Sequence, residues 1–267
     1  PRSSLPRLTL PRAAYGFVLV TMALVSLTAG LFLYSRAGDL ADQALDQAVR
    51  LRTQAAAAAY ARAIHEDWSD LTYLAAEAGR GDLDRVRGLM DGMRGDGTRI
   101  SWIGWAGTDG VVRTASDGLL DGADVSARPW FRNGLRGGFA GDVHEAVLLA
   151  SLLPETETGE PPRFIDLALP VRTTEGEAAG VVAVHIDFDW ATRFLSETAD
   201  SLGLDLFLIG ADGSVIAATT GERPTTAELQ ILRAARAGTA TATRETWPDG
   251  NDYFATLLPQ VGYDDLP

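Results

Sequence analysis

The sequence predicts an α+β protein in which an N-terminal transmembrane helix and a long stalk helix precede two tandem antiparallel-sheet modules. Three observations carry that expectation: an uncharged apolar run at residues 13–34, a proline-free stretch of helical periodicity ending near Ala78, and a strand-turn-strand pattern that occurs twice. Composition sets the bounds. The 267 residues are 46% hydrophobic, enough to bury a core. Against 23 basic side chains stand 36 acidic ones, a net charge of −13, and such a surface repels phosphate and excludes a nucleic-acid binder driven by bulk electrostatics. Cysteine is absent, which removes disulfides, thiolate metal sites and thiol nucleophiles. Every basic residue is Arg, so lysine Schiff-base and P-loop chemistry are excluded as well.

Taken in order, residues 1–12 carry Arg2, Arg7 and Arg12, and residues 13–34 match the roughly 20 apolar residues that cross a bilayer. Arg36 is soon followed by Asp39 and Asp42, so the charge asymmetry places residues 1–12 in the cytoplasm and the remainder outside. The apolar run exceeds a signal-peptide core and no A-x-A-like site follows it, which favours an uncleaved anchor. The chain opens on Pro1 and stops at Pro267 after a strand-like run, and it reads as cut at both ends. Residues 35–95 are expected to form the stalk and a short second helix. Leu40, Ala44, Ala48, Leu51, Ala55 and Ala58 recur at helical spacing, and about forty residues reach roughly 60 Å. The alanine run Ala55 to Ala59 lets another helix approach, either in the same chain or in a homodimer through the stalk. Gly79 to Gly81 ends this helix, and Asp82 to Met93 is a second.

Residues 96–201 are expected to form the first module and 202–267 the second, the latter lacking its last strand and return helix. Arg99 to Ala106, the turn Gly107-Thr108-Asp109-Gly110 and Val111 to Ser116 form a hairpin in which Asp-Gly supplies the positive φ. Leu204 to Ile209, Gly210-Ala211-Asp212-Gly213 and Ser214 to Ala218 repeat it, and WAGTDGVVRTAS aligns with LIGADGSVIAAT without a gap. Asp142 to Leu149 reads as a strand and Pro154 to Pro162 as a loop. Arg163 to Arg172 and Ala179 to Asp187 are strands, and Phe188 to Ser201 is a helix. Alternation puts Ile165, Leu167, Leu169, Val171, Val182, Val184 and Ile186 on a greasy face for the long helix to cover. Asp166, Ala168, Ala183, His185 and Asp187 lie on the other, as a polar pocket requires.

Asp124-Val125-Ser126-Ala127-Arg128-Pro129-Trp130-Phe131, then Gly141-Asp142-Val143-His144-Glu145-Ala146, Arg163 to Val171 and Gly180-Val181-Val182 follow the anchor and stalk in that order. In this arrangement the chain resembles the double Cache (PAS-like) extracytoplasmic sensor domains of bacterial transmembrane receptors. The resemblance covers nearly everything after Arg36. It implies small-molecule sensing and signal transduction from the periplasm by a receptor of the bacterial inner membrane. It also implies an output domain outside this chain: a diguanylate cyclase, histidine kinase or chemoreceptor. The membrane-distal module usually binds the ligand, and amino-acid-binding members hold the carboxylate with an Arg-x-Trp-aromatic element and the ammonium with an acid near the end of the last strand. Arg128, Trp130 and Phe131 match the first, and Asp187 would be the second. Ala123 stands where a tyrosine is expected, so the ligand class widens to amino acids, amines and carboxylates, with a purine-like ligand also open.

The ligand-binding candidates are therefore Arg128, Trp130, Phe131, Asp142, His144, Asp166, His185 and Asp187, with no catalytic residue, metal or cofactor assigned. Structural readings stand beside these: Arg128 pairing with Asp124 or Asp142, and Trp130 and Phe131 anchoring a short helix in the core. His144, His185 and Asp187 could in principle form a metal triad. His65 is expected to be an exposed stalk residue, and Trp102 and Trp105, on opposite strand faces, cannot both see a pocket. No G-x-S-x-G or H-E-x-x-H element occurs, so an enzyme is not expected in this chain. The rivals are a ligand-free scaffold for dimerisation or a periplasmic partner and, more remotely, a membrane-tethered hydrolase.

Overall fold

The structure, a computed structural model, describes residues 9–145, 149, 161–210, 212–220 and 229–267. By internal contacts the chain divides into Pro1–Ala48 and Val49–Pro267. Helix α1, Leu10–Ala78, contributes to both, so the expected transmembrane and stalk helices are one element. The reason is local: between Tyr34 and Leu40 no proline occurs and the weakest helix former is Gly38, and one glycine costs about 1 kcal/mol, too little to break a long helix. In the first unit the apolar side chains are exposed, including Leu19, Leu27 and Phe32, and the most apolar 18-residue stretch has a mean hydropathy of 2.2. Such a helix is long and greasy enough to cross a bilayer.

The second unit is built around an antiparallel sheet. Helix α2, Leu83–Arg94, is capped by Asp82, whose carboxylate accepts from the Arg85 N–H. Strands β1 (Ile100–Ala106) and β2 (Val112–Ala115) form the first hairpin, and α3 (Pro129–Gly134) follows. Two short strands, β3 (Phe139–Ala140) and β4 (His144–Glu145), lead into the long pair β5 (Arg163–Arg172) and β6 (Ala178–Asp187). Among the described residues the order is β2-β1-β6-β5-β3, with β4 also paired to β5. Helix α4 (Phe188–Leu202) then leads to β7 (Phe207–Ile209), β8 (Val215–Ala218), α5 (Gln230–Arg236), β9 (Thr241–Thr246) and β10 (Asp252–Leu257). Here the described strands form two separate pairs, β7 with β8 and β9 with β10.

The two faces of the main sheet divide as the alternation requires. Leu167, Val171, Val182, Val184 and Ile186 pack beneath it against Ile64, Trp68, Leu71 and Leu74 of α1. Ala168 and Ala183 face the other way, where their small side chains admit Trp130 and Phe131 of α3. The alanine run finds its neighbour within the chain, for Ala56 is buried with Phe188, Ala191 and Leu195 at the start of α4. The repeated hairpins match register for register: Gly104 faces Ala115 and Trp105 faces Thr114, while Phe207 faces Ala218 and Leu208 faces Ala217, and each pair carries a bulge at the next position.

Two expectations are corrected, and a third is not tested. Asp142 to Leu149 is not a continuous strand: only His144–Glu145 pairs with β5, Leu149 is helical, and 146–148 lie outside the described residues. Just before β4 the Gly141 N–H donates to the Asp166 carbonyl and Asp142 Oδ1 accepts the Val143 N–H, and the register against β5 slips by one residue, a bulge that interrupts the edge. The expected loop Pro154 to Pro162 falls almost wholly outside the described residues. His65 is not simply exposed, because its Nε2 lies 2.8 Å from Asp265 Oδ1 and its ring sits 5.1 Å from Tyr263.

Candidate functional site

Arg128 is the residue before α3, and Pro129 occupies the first helical position, where its fixed φ suits a helix start and its missing N–H costs nothing. One short turn then aims Trp130 and Phe131 at the sheet, both 3% exposed. The helix can approach this closely because Gly134 lies against Val181 and Ala168, where a Cβ would come within 2.6 Å of the valine. Opposite it, three side chains stand in a row across paired strands: Trp102 faces His185, and His185 faces Asp166. Trp102 lies flat on His185, with ring centroids 4.9 Å apart, and its Nε1–H donates to the Leu119 carbonyl at 2.9 Å. Trp130 is edge-on to the same imidazole at 6.1 Å.

Between α3 and this row is a cavity of about 230 Å³. Trp102, Trp130 and His185 form its aromatic wall, Leu120, Val125 and Leu149 add aliphatic surface, and Arg128, His144 and Glu145 supply charge. Its volume lies below the ~300 Å³ at which drug-sized pockets begin, so it suits a small solute. Among the described residues no carboxylate pairs with the Arg128 guanidinium: Asp124 Oδ1 takes the Ser126 N–H, and Asp142 Oδ1 that of Val143.

Behind the wall Asp166 is 2% exposed, with one imidazole at each carboxylate oxygen. His144 Nε2 is 2.6 Å from Oδ2, and His185 Nδ1 bonds Oδ1. His144 Nδ1 meets the Glu145 carbonyl at 3.1 Å, and since a carbonyl can only accept, this nitrogen carries a proton. Burial pushes the Asp166 carboxyl up, but His185 and His144 outweigh it and hold the group well below the usual carboxylate range. The bond to Asp166 raises His144 in turn, against the opposing effects of burial and of the Arg128 charge.

The structure thus brings Arg128, Trp130, His144 and His185 to one cavity, with Asp166 bonded beneath the two histidines. Phe131 stands behind Trp130, edge to its ring at 6.0 Å, as a core residue. Asp142 turns toward Gly210 of the second hairpin. Asp187, expected toward an ammonium group, is not among the residues that line this cavity. Its Oδ1 accepts from the Asp189 and Trp190 N–H groups to cap α4, and Ser101 donates to Oδ2 at 3.3 Å. Burial raises its pKa, partly offset by those N–H bonds. It follows that the carboxylate set beside the histidines is Asp166, not Asp187. Glu145 and the aliphatic lining were missed. Glu145 and Val125 stand in the quoted strings beside His144 and Arg128, whereas Leu120 carries no local signal of the cavity.

Comparison with protein-family models and with curated proteins gave no match. Among solved structures the fold is that of extracellular ligand-binding domains of bacterial receptors, the double Cache class expected from the sequence. The ligand-binding domain of the Pseudomonas aeruginosa amino acid chemoreceptor PctC, in complex with GABA, aligns with TM-score 0.56 at 14% identity over 79% of this chain and 90% of that one. That of the Pseudomonas fluorescens chemoreceptor CtaA, in complex with L-leucine, gives 0.56 at 16% over 79% and 85%. An extracellular ligand-binding receptor from Desulfohalobium retbaense gives 0.57 at 16% over 76% of this chain and only 36% of its own. At these identities the likeness is one of fold.

Proposed function

We propose that this chain is the sensor part of a membrane receptor whose outer module, residues 96–201, captures a small carboxylate-bearing solute on the periplasmic side of a bacterial inner membrane. Residues 13–34 are its anchor, residues 1–12 its cytoplasmic tail, and residues 202–267 the membrane-proximal module. The observation that carries this reading is the guanidinium of Arg128, without a carboxylate partner among the described residues, at a cavity walled by Trp102, Trp130 and His185. A guanidinium in that position offers two parallel N–H bonds to a carboxylate, and the rings exclude water around them. An amino acid ligand would bring its ammonium to Glu145 rather than to Asp187. The solved neighbours' complexes with GABA and L-leucine support a small-molecule ligand of this kind.

Transmission follows from the sheet being a shared wall. His185 faces the cavity while Val184 and Ile186 on the same strand pack toward α1, so a ligand preferring one sheet position biases the helix beneath. Such a bias needs different affinities for two receptor states. Calorimetry of the detergent-solubilised chain against amino acids, amines and organic acids tests the site. Saturable binding is expected, with Arg128→Ala weakening it at least about tenfold, or roughly 1.4 kcal/mol. The variant should melt where the native chain does. Unchanged affinity in Arg128→Ala would show that the site lies elsewhere.

A further inference from the structure

We propose that His144, Asp166 and His185 form a site for a divalent transition-metal ion, zinc(II) being the type case, on the wall of the cavity. A potential ligand atom from each residue lies within 4.8 Å of the other two. They come from three consecutive strands whose pairing fixes them: His144 opposite Phe164, and Asp166 opposite His185. Two imidazoles and one carboxylate make an N2O set, which suits zinc, cobalt or nickel better than calcium or magnesium with their preference for oxygen.

Orientation supplies an independent argument. Metal-bound histidines usually donate the second ring N–H to a carbonyl or carboxylate, which fixes the coordinating nitrogen and turns the ring. His144 has this arrangement already, with Nδ1–H committed to the Glu145 carbonyl and Nε2 directed at Asp166. His185 is fixed by stacking on Trp102 and by the Trp130 and Phe164 rings around it. The buried Asp166 carboxylate requires positive charge nearby, and a divalent ion provides it. Bonds of about 2.0–2.2 Å to the ion place its ligands roughly 3.3 Å apart. His144 Nε2 and Asp166 Oδ2, now 2.6 Å apart, would therefore separate by under ~1 Å. His144 can yield, because its side chain is 38% exposed and its strand only two residues long. Three protein ligands leave a coordination position open, and His144 and His185 both line the cavity, so that position faces the solute space.

The inference does not depend on Arg128 and is tested without any organic ligand. The full chain in detergent, stripped with a chelator, is titrated with cobalt(II) while its visible d–d absorption is recorded, and zinc(II) is then added in competition. One saturable equivalent with the intense bands of a four- or five-coordinate ion is expected, displaced by zinc. His144→Ala should weaken binding at least about 100-fold while melting like the native chain. His144→Gln serves as a second variant if the first misfolds. His65→Ala should bind cobalt normally, which controls for the cluster of His65, Asp264 and Asp265. Absence of a d–d band, unchanged affinity in both His144 variants, or loss of binding in His65→Ala would overturn the proposal and leave the three side chains a hydrogen-bonded network only.

Discussion

Two carboxylates on neighbouring strands, Asp166 and Asp187, have different partners because the backbone around them differs. Asp187 ends β6, where the chain turns into α4 and the first N–H groups of the helix have no carbonyl to meet. They claim its Oδ1, and an N-cap of this kind is worth about 1 kcal/mol. Asp166 lies within β5, where backbone groups are used by the ladder, and its charge is met by side chains from the adjacent strands. Asp187→Ala should therefore lower the midpoint of urea unfolding by an amount equivalent to about 1 kcal/mol. Ligand affinity should remain unchanged; a tenfold loss of affinity without loss of stability would restore Asp187 to the site. The cap was legible in the sequence, since an aspartate immediately before a helical run is a start signal. Its meeting with the histidines had no such signal in the case of Asp166.

Among elements, the Asp-Gly hairpins are the most local structures and the most readable. In both repeats the first glycine N–H bonds the carbonyl four residues on, at 2.9 Å in Gly107 and Gly210 alike, and the aspartate accepts the N–H two residues ahead. Trp247-Pro248-Asp249-Gly250-Asn251 closes β9 and β10 in the same way. Four residues suffice for such a turn, so no distant partner is needed. The long strands β5 and β6 were readable through their period of two. β4 was not, because its pairing depends on a one-residue slip in register against β5 between Ala140 and His144. Close approach between elements also rests on single glycines. Gly180, at φ +138°, lies where a Cβ would be 1.9 Å from the Ala106 carbonyl oxygen. Gly180→Ala should cost more than ~2 kcal/mol and loosen the β1–β6 pairing, read as a fall in the urea midpoint. An unchanged midpoint would mean that this approach can relax freely.

At the scale of the second unit, α1 is held to the sheet by apolar packing and by an ion pair between the buried Asp67 and the half-buried Arg99 at 2.9 Å. Arg99 also stacks over Trp190, 4.1 Å from the ring centroid. Burial pushes the Asp67 carboxyl up to about 6 despite the guanidinium. A carboxyl raised on folding binds its proton more tightly in the folded state, so its contribution is full below about pH 4 and is lost as pH rises to about 6. The native chain should lose on the order of 2 kcal/mol over that interval relative to Asp67→Asn, measured by urea unfolding at each pH. Parallel pH profiles for the two proteins would refute it. By itself the sequence determined what is local: the apolar N-terminal run, the helical periodicity after it, the turns, and the greasy and polar faces of β5 and β6, each fixed by neighbours a few residues apart. Only the tertiary structure decided that the cavity lies between α3 and the sheet, that Arg128 meets no carboxylate there among the described residues, and that Asp166 rather than Asp187 meets the histidines. Those outcomes depend on the register between strands distant in the chain, and register is set by long-range packing that no short window contains.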